Sequence, residues 1–362
     1  MLQYQTYSRG KKLSLGQIVL HDGNNYSLPL SWFGRSKVCN LNFEKNLYNF
    51  LFSVKDNYTE FVVNNPHEIF RFKSTKFNNI PIIETILNVC SRLNIEDKLT
   101  FTDNNLTLKT DLFSFYSYPY FLGWNSLQNV KIEEKESFKY KFLSLCRIPR
   151  YHRYNILAKL IDNRAIDNTA WSFNFNNPSA NLHKALGPSE LEYGEQNTAY
   201  KIIDEFKCSF VNIVTESCYS LNNVVHYEEG GFDEYSMFIT EKTEKCFSSG
   251  LPFIMVSTPY FLKELKNLGF KTFDKWWDES YDLEESYRKR IRMIGNVIDD
   301  INKKSYEELV KMYNEMIPIL KHNQNINNSF VIPNSRNFNS LIYPGISKYN
   351  IKYLKFNING TI

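Results

Sequence analysis

The sequence predicts an α/β fold in two domains, and three observations carry that prediction. From about residue 140 to residue 270, short apolar segments alternate with helical ones, the pattern of parallel βαβ units. The first 125 residues or so are instead short strand-like segments broken by turns. A chain of 362 residues is also long enough for two cores of ordinary size. The hydrophobic fraction of 43% against 23% charged residues belongs to a folded chain and excludes a disordered one.

In the first part, Gln17-Ile18-Val19-Leu20, Asn49 to Val54 and Glu60-Phe61-Val62-Val63 read as strands, separated by Asp-Gly, Asp-Asn and Asn-Asn-Pro turns. A helix is predicted at 82–95, where Ile83, Ile86, Leu87, Cys90 and Leu93 recur at helical spacing. The charged run Lys131 to Glu136 is the candidate linker. It divides the chain into a domain at 1–130, a domain at 131–325 and a polar tail at 326–362. In the second part, strands are predicted at Phe142–Cys146, Ala170–Phe173, Phe210–Val214 and Pro252–Val256, with helices at 154–161, 241–249 and 259–267. Gly269 stops the last of these. Two helices follow, at 284–301 and 305–321, the second opened by a capping box of Ser305 and Glu308.

The formal charge of +4 permits an anionic ligand but does not describe a nucleic-acid coat. The six cysteines form no CxxC pair or metal-ligand cluster. The N-terminus lacks the basic and apolar blocks of a signal peptide, and no run approaches the roughly 18 apolar residues of a membrane helix. A cytoplasmic protein without a membrane span is the expectation.

Three segments carry candidate chemistry. Thr240 is a good N-cap and Gly250 a good helix stop, which places Glu241 and Lys242 in a first helical turn whose free N–H groups favour an anion. A lysine there opposes the helix dipole, and a bound diphosphate would supply its countercharge; a capped surface helix with ordinary charges is the competing reading. The run Arg147-Ile148-Pro149-Arg150-Tyr151-His152-Arg153 follows a predicted buried strand, where ligands of open α/β sheets bind. Arg147, Arg150 and Arg153 are suited to bidentate phosphate bonds, against the alternative of a solvated basic loop. Glu216 ends another apolar strand and is a candidate for a sugar or ribose hydroxyl, for holding an arginine, or for an ordinary loop carboxylate.

Taken in order, these segments resemble the α-1,3-fucosyltransferase family, above all a fucosyltransferase-like group of viral and bacterial sequences. The matching motifs are the Leu-x-Arg-x-Pro-Arg-x-His-Arg run from Leu145 to Arg153, the Glu-Ser strand end, and the Thr-Glu-Lys helix with Gly250-x-Pro252. Two further blocks match, Gly269 to Phe273 and Trp277 to Asp282, so the likeness covers about residues 140–300. It implies a GT-B-like architecture of two facing Rossmann-like domains, a metal-independent, inverting transfer from a GDP-sugar co-substrate, and no cofactor. By the same resemblance Lys242 and Arg153 contact the diphosphate, Glu241 the ribose and Glu216 the donor sugar. The acceptor would be a glycan, a protein or a modified nucleobase. Glu244 and the Val214-Thr215 pair depart from the family pattern and leave base and sugar open. A UDP-sugar donor, nucleobase glycosylation of DNA, and an inactive nucleotide-binding descendant are the rival readings. The family's general base is a carboxylate of the first domain, for which Asp22, Glu44, Glu60, Glu68 and Asp111 are equivalent candidates. The aromatic run Phe113 to Phe121 suits either a sugar-stacking wall or a core.

Overall fold

The structure is a computed structural model that describes residues 16–21, 26–30, 41–56, 60–65, 82–103, 114–117, 121–123, 129–146, 150–173, 202–217, 219 and 237–330. Two compact units divide the chain. The first is built on Met1–Tyr120 and the second on Phe121–Ser220 with Ile239–Val331. Both are α/β.

The first unit carries a mixed five-stranded sheet in the order β2-β1-β3-β4-β5. Its strands are β1 (Gly16–His21), β2 (Tyr26–Leu30), β3 (Glu60–Asn65), β4 (Leu99–Asp103) and β5 (Ser114–Ser117). Strand β1 runs antiparallel to β2 and β3, while β3, β4 and β5 are parallel. Helix α1 (Leu41–Val54) packs on α2 (Ile82–Arg92). The strand expected at Asn49–Val54 is thus the end of a helix. Its β-forming composition is overridden by spacing, since Leu47 and Leu51, four residues apart, are both buried while Phe52, the next residue, is exposed. Of the aromatic run read as either a sugar-stacking wall or core, Ser114–Ser117 is the edge strand β5 and Phe121 is buried. Phe113 and residues 118–120 lie outside the described residues.

The second unit holds a four-stranded, wholly parallel sheet in the order β7-β6-β8-β9. The strands are β6 (Tyr140–Cys146), β7 (Thr169–Phe173), β8 (Ser209–Thr215) and β9 (Phe253–Val256). Strands β7, β8 and β9 are buried along their whole length, as a parallel sheet covered on both faces requires. On one face Cys146, Trp171 and Phe173 pack on Leu157 of α3 (Tyr151–Asp162). On the other, Leu143 and Ala170 pack on Ile203, Leu251 and Phe206 of the short helix α4 (Glu205–Cys208). This parallel sheet with helices is compatible with a Rossmann-like fold.

Helix α5 (Glu241–Ser249) follows β8, and α6 (Phe261–Asn267), α7 (Tyr287–Asn302) and α8 (Tyr306–Ser329) complete the unit. The Gly269–Phe273 and Trp277–Asp282 blocks form core rather than site. Phe270 stacks on Phe247 of α5 at 4.1 Å, and Phe273 bridges Phe253 of β9 to Trp277. Glu279, buried beneath this turn, accepts from the Phe273 N–H at 2.8 Å, and burial pushes its carboxyl up to about 7. Asp282 closes the start of α6 by accepting from Leu262 and Lys263 N–H.

Helix α8 opens with the predicted Ser305–Glu308 capping box but runs to Ser329, past the predicted end at 321 and into the predicted tail. Its asparagines are there to bond, not to end the helix. Asn323 grips both backbone groups of Lys271, and buried Asn327 joins Gly123 N–H to Glu244 and Ser248. The stretch 131–136 is likewise docked rather than loose. Ile132 is buried, and Lys135 exchanges two backbone hydrogen bonds with the Asn314 side chain.

Gly250 ends α5 in the left-handed region at φ 64°, and an added Cβ would run into the Ile132 side chain. Gly250→Ala is therefore expected to cost about 1–2 kcal/mol from backbone strain alone. Urea unfolding would read it as a lower midpoint at unchanged slope.

Candidate active site

Strand β6 is followed by β7 on one side, and β8 and β9 lie on its other side, so the direction of winding reverses between β6 and β8. The crevice outside the carboxyl ends of those two strands is the topological switch point, where open α/β sheets bind ligands. The candidate side chains gather there. Cys146 ends β6, Arg150 and Arg153 follow at the start of α3, Thr215 and Glu216 end β8, and Thr240 to Lys242 begin α5. Arg147 lies outside the described residues.

Arg150 and Arg153 are buried and turned inward. Arg150 Nη1 donates to the Ser217 carbonyl, while Arg153 Nη2 donates to the carbonyls of Thr215 at 3.0 Å and Glu216 at 3.2 Å. His152 Nε2 meets the same Glu216 carbonyl at 3.0 Å, and its ring stacks on Tyr219, over which the Arg290 guanidinium also lies at 4.2 Å. Carbonyls that leave the ladder at a buried strand end need donors, and a guanidinium offers five. Arg150, His152 and Arg153, from the run that spacing suggested as a phosphate clamp, thus clasp the end of β8. The charge of the two arginines still bears on the crevice. Burial pushes the Cys146 thiol up, against the opposing effect of Arg153, Lys242 and Arg150.

Glu216 has no exposed surface. Its Oε1 accepts from Thr240 N–H at 3.1 Å and Thr243 Oγ1 at 2.6 Å, and its Oε2 from Thr240 Oγ1 at 2.7 Å and Ser217 N–H at 3.3 Å. Thr240 is the N-cap that the sequence predicts, accepting from the Lys242 N–H. The Lys242 ammonium reaches Thr240 Oγ1 at 3.0 Å and Glu241 Oε1 at 3.2 Å, and lies 4.0 Å from Glu216 Oε2. The buried carboxylate therefore already supplies the countercharge that the lysine's place on the helix dipole called for. Glu216 faces the protein, not a sugar.

A cleft opens beside this network, lined among others by Leu145, Phe206, Thr215, Glu241, Lys242 and Lys245. Glu241 and Lys242 are about a quarter exposed there, at 27% and 25% of their side chains. Burial pushes the Glu241 carboxyl up, but Lys242 by charge and hydrogen bond, together with a backbone hydrogen bond and Lys245, leaves its pKa lowered. Burial lowers the Lys245 ammonium, with Glu241 opposing. Lys245 was missed in the sequence, although it sits three residues after Lys242 and four after Glu241 and so shares their helix face. Tyr219 and Arg290 were missed as well, and no spacing links them to the site. Glu244, read as a departure from the family pattern, is fully buried and bonds Ser248 at 2.6 Å and Asn327 at 3.0 Å.

Of the candidate bases, Glu44 pairs with Arg92 at 2.7 Å and Glu60 begins β3. Asp22, Glu68 and Asp111 lie outside the described residues. Among the described residues, no group of three or more His, Cys, Asp or Glu side chains is gathered as a metal site needs, and no helix is long and apolar enough to cross a membrane. Comparison with known proteins finds no family model that matches the chain and no match among curated proteins.

Proposed function

We propose that the chain is a glycosyltransferase that moves a sugar from a nucleoside diphosphate, GDP above all, to an acceptor hydroxyl, with inversion and without a metal. One observation carries the reading. Lys242 and Lys245 line a single cleft at the switch point of the parallel sheet, with Arg150 and Arg153 set behind the same strand ends. The ordered fucosyltransferase-like motifs add to it. In this reading Lys242 meets the diphosphate with the nearly buried Lys245 adding its charge from behind, Glu241 takes the ribose hydroxyls, and the arginines and Glu216 hold the strand end and helix start in place. The first unit supplies the acceptor surface and the general base, completing a GT-B-like pair of domains. Leaving-group charge falls to the lysines.

The test is a thermal-shift panel of guanosine, GMP, GDP, UDP and their sugars, since a ligand that binds only the folded state raises the melting temperature. GDP and a GDP-sugar are expected to give the largest shift, and equal shifts from guanosine and GDP would remove the diphosphate from the reading. Transfer is expected to survive EDTA. Loss of activity on chelation, restored by Mg²⁺ or Mn²⁺, would point to a metal-dependent transferase instead. The full burial of Glu216 favours a second reading, a nucleotide-binding module without transfer, because the carboxylate assigned to the donor sugar is committed inside the protein.

A further inference from the structure

We infer that Glu216 is a positioning residue for Lys242 and acts through the hydroxyl of Thr240. A hydroxyl has one proton and two lone pairs, whereas a carboxylate only accepts. Thr240 Oγ1 lies 2.7 Å from Glu216 Oε2 and so commits its proton there. Its lone pairs are then turned to the Lys242 backbone N–H at 3.3 Å and the Lys242 ammonium at 3.0 Å. The second carboxylate oxygen fixes the helix start from below, through Thr240 N–H and the Thr243 hydroxyl. The Glu216 carbonyl meanwhile holds Arg153 and His152. One buried residue therefore ties the end of β8, the arginine run and the first turn of α5 together, and aims an ammonium into the cleft.

The relay is a property of the free protein. Only its consequence for nucleotide affinity rests on the proposed function. In Glu216→Gln the amide NH2 must replace one acceptor. Either position sets it against a backbone N–H that has no lone pair to offer, Thr240's at 3.1 Å or Ser217's at 3.3 Å, and the Oε2 position gives up only the longer of the two bonds, so it takes that position. The Thr240 hydroxyl must then reverse, accept from the amide and present its proton to Lys242, which releases the ammonium.

The first measurement needs no ligand. Lysine labelling by acetic anhydride, read by mass spectrometry against the exposed Lys303, is expected to rise several-fold at Lys242 in Glu216→Gln. Thr240→Val should do the same, and Thr240→Ser, which keeps the hydroxyl, should label as the wild type. The second measurement is GDP binding by calorimetry. It is expected to weaken about tenfold to a hundredfold in Glu216→Gln and in Thr240→Val, the size of a lost charge-assisted hydrogen bond. The double variant should be no weaker than either single one, because the two residues act in series.

Unchanged Lys242 labelling in both Glu216→Gln and Thr240→Val, or additive losses in the double variant, would overturn the relay. Should Glu216→Gln fail to fold, the Thr240 pair decides alone. A wild-type protein that does not bind GDP would sink the nucleotide reading and leave the labelling result to judge the relay.

Discussion

Lys242→Ala is expected to weaken GDP binding about tenfold to a hundredfold, the 1.5–3 kcal/mol of a lost charge-assisted hydrogen bond, and to leave guanosine binding unchanged. The asymmetry follows from position. Lys242 sits in the first turn of α5 with a quarter of its side chain open to the cleft, and its neighbours are a hydroxyl and two carboxylates. Removing the ammonium leaves those carboxylates unopposed at the place a diphosphate must occupy, so repulsion adds to the lost bond. A nucleoside without phosphates meets neither effect. Lys242→Arg is a useful contrast, since a planar guanidinium cannot keep the point-charge geometry to Thr240 Oγ1 while reaching forward. Calorimetry of the three proteins with GDP, GMP and guanosine checks this. Equal losses for GDP and guanosine would mean that the variant deforms the cleft rather than removing a phosphate contact.

Much of the second unit was legible from the sequence, because there local and tertiary signals agree. Thr240 and Gly250 mark the ends of α5, the apolar runs match β6 to β9, and Ser305 with Glu308 marks the start of α8. The failures share a physical cause. Asn49–Val54 is rich in β-formers, yet a four-residue step puts Leu47 and Leu51 into the helical core. Asn323 and Asn327 are poor helix formers in isolation, but each satisfies buried backbone or side-chain groups that no apolar residue could.

The site shows the same division between position and partner. Residue types and spacing were enough to bring Arg150, Arg153, Glu216, Thr240 and Lys242 to one end of one sheet. They could not tell which way each side chain turns, since that depends on which carbonyls of β8 lack donors. Glu216 and Arg153 look like ligand residues in one dimension. In three dimensions they bond Thr240, Thr243 and the strand end, while the cleft is lined by Lys242 and by the nearly buried Lys245 on the same helix face.

The largest effect is expected from a residue of the first unit. If the second unit binds the donor, an acceptor hydroxyl still has to lose its proton, and a positioned carboxylate contributes about 10²–10⁴-fold in rate to that step. One of Asp22, Glu44, Glu60, Glu68 and Asp111 should therefore lose transfer by that factor as its amide variant while keeping donor affinity. Glu44 begins at a disadvantage, because Arg92 holds its carboxylate at 2.7 Å and that bond must be given up before the oxygen can meet an acceptor hydroxyl. Arg92→Ala should then raise the rate if Glu44 is the base and leave it unchanged if another carboxylate serves. The signature that separates a base from a merely structural acid is a fall in kcat at constant donor Kd, with the acidic limb of the pH–rate profile abolished. If all five amide variants transfer at the wild-type rate, the first unit supplies no base from this set. If the wild type binds GDP-sugar but turns over with none of the acceptor classes, the module that binds without transferring becomes the better account of the same cleft.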